Sequence, residues 1–157
     1  MRFWILGLVA TLGACQSTST TDVPISLTQT SPVAAAQNDI GMMALINAER
    51  AAQGLGPVRE NPRLSQAARA HAADMVANGT FSHTGSDGSR FFERAAAAGY
   101  ACASAENIAL GQRTEAEVMT SWMGSSGHRR NILTPDAVEF GIGRVDNMWV
   151  QLFGRGC

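Results

Sequence analysis

Three side chains in this sequence have the type and the isolation that chemistry requires. His83 stands in a polar, glycine-containing stretch, FSHTGSDGS, directly after Phe81-Ser82. Glu106 is the only charged residue of the segment Ala103 to Leu110, ASAENIAL. His128 follows Gly127 in SWMGSSGHRRNIL, a few positions after Ser125. Loops on a rigid scaffold often carry binding residues, and a carboxylate in an apolar setting needs partners or its pKa rises. Two imidazoles and a carboxylate can hold zinc and leave a coordination position open. The same set can hold a water with Glu106 as its general base. Each residue also has an ordinary structural reading: a turn histidine, a glutamate capping a neighbouring loop, a ring satisfied by backbone. Spacing alone does not decide whether the three converge.

Other chemistry is trimmed by what the motifs lack. His71-Ala72-Ala73-Asp74-Met75 is not the His-Glu-x-x-His helix of a metalloprotease. His71 falls on an apolar helical stripe and reads as a packed core histidine. Ser125-Ser126 lie close to His128, but there is no Gly-x-Ser-x-Gly elbow, so no serine nucleophile is expected. No glycine loop has the pattern that cradles phosphate. Net charge is −1, all 12 basic residues are arginine, and no basic run reaches the length of a nucleic-acid footprint. Arg129-Arg130 reads as a solvated face. Nucleic acid is therefore not an expected partner.

The elements that must position these residues follow from periodicity and punctuation. Asn38 or Asp39 caps a first helix that runs to about Gln53, with Ile40, Met43, Ala44 and Ala48 on one stripe and Gly54 as its stop. Asn61-Pro62 starts a second helix, with Leu64, Ala67, Ala68, His71 and Met75 on its inner face and Asn78-Gly79 at its end. Arg90 to Ala98 is a short Ala-rich helix stopped by Gly99. Ala101 to Leu110 reads as irregular, with a short strand near its end. Thr114-Glu115-Ala116-Glu117 is a capping box that opens a helix through about Met123. Val138 to Val145 and Met148 to Phe153 are two strands joined by an Asp146-Asn147 turn. Helices followed by a hairpin give an α+β domain, with helices packed on a small, mainly antiparallel sheet.

The N-terminus predicts export. Met1-Arg2 is followed by a short apolar run, Phe3 to Leu12, of signal-peptide length and too short to span a bilayer. Leu12-Gly13-Ala14-Cys15 resembles a bacterial lipobox, which makes residues 1–14 a lipoprotein signal peptide and Cys15 the lipidated first mature residue. The alternative is an ordinary secretory signal with Cys15 incidental. Gln16 in place of Asp favours the outer membrane if the cell is Gram-negative. Residues 15–37 are rich in Ser, Thr, Gln, Ala and Pro and read as a flexible tether, leaving 38–157 as the domain. The partner implied is a membrane, reached through the N-terminal lipid. Cys102 and Cys157 remain, and in an oxidising compartment they are expected to pair as a disulfide that ties down the C-terminus.

The order of short motifs adds a family resemblance. Asn47-Ala48-Glu49-Arg50, Leu64 with Ala67-Ala68 and His71, Phe81-Ser82-His83, Gly99-Tyr100, Glu106-Asn107-Ile108, Trp122 with Ser125 and Gly127-His128-Arg129, Asn131-Ile132-Leu133 and Gly141-Ile142-Gly143 follow one another in sequence. Together they resemble the bacterial branch of the CAP superfamily, the cysteine-rich secretory, antigen 5 and pathogenesis-related 1 proteins, over about residues 39 to 156. The resemblance implies a three-layer α-β-α sandwich with a central cleft lined, in its fullest form, by two His and two Glu. By position, His83 and His128 match the two histidines and Glu106 the first glutamate. The second glutamate falls at Ser125, so the resemblance implies a triad with a serine beside it.

Members of the superfamily are associated with sterol or lipid binding, metal binding and proteolysis. Three functions follow as expectations. The first is an envelope-anchored, non-enzymatic domain whose cleft takes a small ligand, lipid or cell-wall component, with a divalent metal such as zinc on His83, His128 and Glu106 as an option. The second is a metal-dependent hydrolase with Glu106 as base. The third is a structural surface module whose triad is a buried hydrogen-bond network. The missing second glutamate favours the first.

Overall fold

The computed structural model describes residues 32–157, with side chains described from Gly41 onward. The signal peptide, Cys15 and most of the expected tether lie outside the described residues. Along the chain run α1 (Pro32–Ala52), β1 (Arg59–Glu60), α2 (Pro62–Asn78), α3 (Phe91–Ala97), β2 (Ala103–Leu110), α4 (Glu115–Gly124), α5 (Ser126–Ile132), β3 (Glu139–Val145) and β4 (Met148–Gly154). The helix α1 begins at Pro32 rather than at Asn38 or Asp39, because Val33-Ala34-Ala35-Ala36 after a proline is itself a good helix start.

Local sequence explains the boundaries. In α2 the Asn61 side chain accepts from the Arg63 N–H, Pro62 occupies the first turn, and Gly79 closes the helix with φ 61°. In α4 the Thr114 hydroxyl accepts from the Glu117 N–H. The β3–β4 hairpin turns at Asp146-Asn147, with Asp146 at φ 52° in the left-handed region that Asp tolerates better than most residues.

The sheet has the order β1-β3-β4-β2, with β1 parallel to β3 and the remaining pairs antiparallel. Its two faces are visible in β4. Trp149 and Phe153 join a core with Met42, Ile46, Val118 and Trp122 from α1 and α4. Val150 and Leu152 join a second core with Leu64, Ala68, Met75 and Tyr100 from the α2 and α3 side. Alternation with period two puts the two sets on opposite faces. The result is the expected α-β-α sandwich.

Glycines in β3 set how closely α2 approaches. A Cβ at Gly141 would fall on the backbone of Leu64 and Ser65, and one at Gly143 on the backbone of Ala68 and Arg69. The helix thus lies directly on the sheet, and its position fixes the loop that follows it.

Two expectations are corrected. Ala103 to Leu110 is a full strand rather than an irregular segment with a short strand. Its Ala and Ser residues carry little strand propensity, and pairing with β4, continuous from Ala105 to Leu110 and irregular only at Ser104, decides the matter. His128 lies inside the short helix α5, not in a loop past a helix end. Ser125 is the break between α4 and α5, with extended φ −100° and ψ 123°.

Candidate functional site

The edge strand β2 is the foundation of the site. Its outward carbonyls need partners, and side chains from the α4–α5 layer supply them: Asn131 Nδ2 donates to the Glu106 carbonyl at 3.1 Å, and Trp122 Nε1 to the Ile108 carbonyl at 3.2 Å. Asn107 points to the α5 face, donating to Gln151 Oε1 at 2.9 Å and to the His128 carbonyl at 3.2 Å, and accepting from Asn131 Nδ2 at 2.8 Å. Glu106, one residue earlier, points to the opposite face. The site forms where the two helical layers meet the sheet edge.

Glu106 is 5% exposed, and both of its carboxylate oxygens are engaged. His83 Nδ1 lies 2.8 Å from Oε1, and Arg94 Nη2 donates to Oε2 at 2.7 Å. A carboxylate oxygen accepts here, so His83 donates from Nδ1 and turns its Nε2 edge away from Glu106. The His83 side chain is 56% exposed, while Arg94 is largely buried. Arg94 also donates to the Ser89 carbonyl at 2.6 Å and to the His83 carbonyl at 3.1 Å. One guanidinium from α3 therefore fixes both the carboxylate and the loop that carries His83.

His128 is half-buried on α5. Burial first, then the charge of His83, holds its pKa below the ordinary 6.5, so the two rings are electrostatic neighbours. The structure brings His83 and Glu106 into direct contact and sets His128 nearby. Only His83 lies in a loop; Glu106 is on β2 and His128 on α5. Beside them a cleft of about 440 Å³ is lined by His83, Arg90, Phe91, Phe92, Glu106 and Asn131, among others. The Arg90 guanidinium stacks 4.3 Å from the centre of the Phe92 ring. Neither His128 nor Ser125 is among the residues that line this cleft.

Sequence reasoning missed Arg94. Its only signal was a lone arginine entering the Ala-rich run FFERAAAA, which reads equally well as a surface residue. It also missed Asn131 as the cap of the strand edge. His71, expected in the core, is 1% exposed, with Nε2 on the Ser82 carbonyl at 2.9 Å. Cys102 and Cys157 are free thiols that lie side by side: the Cys157 contact is the first cause, and burial the second, of a raised Cys102 pKa.

A metal fits these residues in a restricted way. Among the described residues, no group of three or more His, Cys, Asp or Glu is disposed to hold an ion. Glu106 is buried with both oxygens hydrogen-bonded, so the two imidazoles are the more accessible donors. The His83–Glu106 contact then has the form of a carboxylate orienting a ligand histidine.

Comparison with known proteins defines the class. The chain matches the CAP family, the Cysteine-rich secretory protein family, over residues 43–153, and it belongs to that family. It is 37% identical over 129 residues to the uncharacterised protein YkwD of Bacillus subtilis, a match covering 80% of this chain and 50% of YkwD. It thus spans about half the length of that curated relative. A crystal structure of an extracellular protein containing an SCP domain from Bacillus anthracis superposes with TM-score 0.73 at 26% identity, covering 76% of this chain and 41% of that one. An outer surface protein of Borrelia burgdorferi shares the fold with TM-score 0.69 at 22% identity, over 77% of this chain and 94% of that one. The Bacillus anthracis protein is extracellular, and the Borrelia burgdorferi one is an outer surface protein. Among the described residues, no helix is long and apolar enough to cross a membrane.

Proposed function

We propose that this chain is an exported, envelope-attached, non-enzymatic binding domain whose cleft takes a small lipid or lipid-like envelope component. The observation that carries this reading is the burial of Glu106, its side chain 1% exposed, with both oxygens engaged by His83 and Arg94 at 2.8 and 2.7 Å. A general base needs a lone pair that a water can reach. Here the buried carboxylate is held as a structural anchor, which disfavours the hydrolase reading. The cleft beside it combines the Phe91 and Phe92 rings with the Arg90 guanidinium and the Asn131 amide. Few polar groups on an apolar, concave surface are what an orientable amphiphile requires. Attachment through Cys15 would place the domain within reach of lipid.

The test uses decanoate as a simple anionic amphiphile. Calorimetric titration is expected to give saturable binding that Phe92→Ala weakens by about tenfold, the scale of one buried aromatic contact. Absence of saturable binding, or full affinity in Phe92→Ala, would sink this reading. A second reading, a two-histidine metal site, is favoured by the electrostatic proximity of the His83 and His128 rings. Zinc binding is then expected near one equivalent and is lost in the His83→Ala/His128→Ala double variant, with the fold intact by circular dichroism. Unchanged zinc binding in that variant contradicts it.

A further inference from the structure

The cleft beside Glu106 has an uneven charge balance. Its lining holds one carboxylate, Glu106, and one guanidinium, Arg90. The carboxylate is already matched: its side chain is 1% exposed, and Arg94 donates to Oε2 at 2.7 Å. Its charge is largely neutralised before any ligand arrives. Arg90 has no comparable partner. Its side chain is 64% exposed, and among the described residues its one side-chain hydrogen bond is a long one, from Nη2 to Glu93 Oε1 at 3.5 Å. Glu93 is itself 47% exposed, and its other oxygen accepts from the Arg90 N–H at 2.7 Å. An exposed pair of this kind contributes little, so it yields readily to a better acceptor. Most of the guanidinium donors are therefore uncommitted.

The position of this charge is also set. The guanidinium carbon lies 4.3 Å from the centre of the Phe92 ring. Phe92 lines the same cleft, and its ring meets that of Phe91 edge-on at 5.4 Å. A weakly hydrated guanidinium is attracted to the negative face of an aromatic ring. The charge thus rests at the edge of the cleft against an apolar surface instead of ranging through solvent. A chain laid along Phe91, Phe92 and Ala105 leaves its head group beside that charge.

Head groups differ in what they can do there. A carboxylate or sulfate accepts two parallel N–H bonds from a guanidinium. A neutral hydroxyl makes a weaker bond. A quaternary ammonium accepts nothing and is repelled. We infer that the cleft selects anionic single-chain amphiphiles, and that Arg90 is the residue that determines this specificity. The inference rests on the amphiphile reading above and adds to it the charge class of the ligand and the side chain that sets it.

The experiment is an amide NMR titration, below the critical micelle concentrations, with decanoate, decyl sulfate and decyltrimethylammonium, which share one chain and differ in the head. Both anions are expected to give saturable shifts at Phe92, Ala105 and Asn131 and to bind at least about tenfold more tightly than the cation. Arg90→Gln is expected to weaken both anions about fivefold, the scale of one exposed charge contact, and to leave the cation no weaker. Arg90→Lys keeps the charge and is expected to keep most of the preference. Equal affinity for all three heads, an unchanged preference in Arg90→Gln, or a loss in Arg90→Lys as large as in Arg90→Gln would each overturn the charge selection while leaving the amphiphile reading in place. No saturable binding of any of the three would overturn both.

Discussion

Arg94→Met is the most informative single change. Glu106 is held in a buried position by two partners, and Arg94 is the only one with a permanent charge. Removing one member of a buried pair costs about 3–5 kcal/mol, because the remaining charge is left uncompensated. His83 stays in place and can still donate, so the lower end, about 3 kcal/mol, is expected. That is a large share of the roughly 5–15 kcal/mol that holds a domain together. Urea unfolding followed by circular dichroism measures it as a fall in midpoint at constant slope. The double variant Arg94→Met/Glu106→Gln removes the stranded charge and is expected to recover at least about 1.5 kcal/mol as coupling energy. Arg94→Lys is expected to recover little, since one ammonium cannot meet the Ser89 carbonyl, the His83 carbonyl and Glu106 in the same fork geometry. A single-variant cost below about 1 kcal/mol, or additivity in the double variant, would refute the reasoning that Arg94 and Glu106 form one buried unit.

Three further outcomes follow from other parts of the molecule. Arg50 is 1% exposed and donates to the carbonyls of Gly56, Ile132, Thr134 and Ala137 at 2.8 to 2.9 Å; Arg50→Met is expected to cost at least about 3 kcal/mol in the same urea assay, since each stranded acceptor costs about 1–3 kcal/mol. His71 and His128 both have pKa values below the ordinary 6.5, chiefly through burial, so the unfolded chain takes up protons first on acidification; stability is complete above 6.5 and falls as pH drops toward the folded values, and His128→Asn should flatten that slope in unfolding midpoints measured across the window. Treatment with a disulfide-exchange oxidant is expected to join Cys102 and Cys157 within one chain and to raise stability by about 3–4 kcal/mol, whereas a protein whose mass and midpoint are unchanged by oxidation would argue against the pairing.

The sequence was most legible where local rules and packing agree. The Asn61-Pro62 start, the Thr114 cap and the Asp146-Asn147 turn each stand where punctuation put them, because each depends on a few neighbouring residues. The strand β2 was hidden because ASAENIAL has little β-propensity; its eight residues are held by pairing with β4, which lies far along the chain. The helix α5 was hidden because Ser126-Gly127 looks like a loop, and it is held to β2 by Asn107 donating to the His128 carbonyl and Asn131 donating to the Glu106 carbonyl. His83 and Glu106 were named from their isolation and from the family resemblance. Arg94 was not, because a buried arginine in an alanine helix is distinguishable from an exposed one only by the carboxylate it meets across the fold. Ser125 marks the break between α4 and α5, a feature set by backbone geometry that its residue type alone does not announce.

The binding role is tested most directly by an amide NMR titration of the protein with decanoate, followed over time. Saturable shifts are expected at Thr84, Phe91, Phe92, Ala105 and Asn131, around the cleft beside Glu106, with the decanoate recovered unchanged. Shifts that never saturate, that cluster away from this cleft, or that are accompanied by chemical conversion of the ligand would contradict a non-enzymatic binding site built on the His83–Glu106–Arg94 anchor.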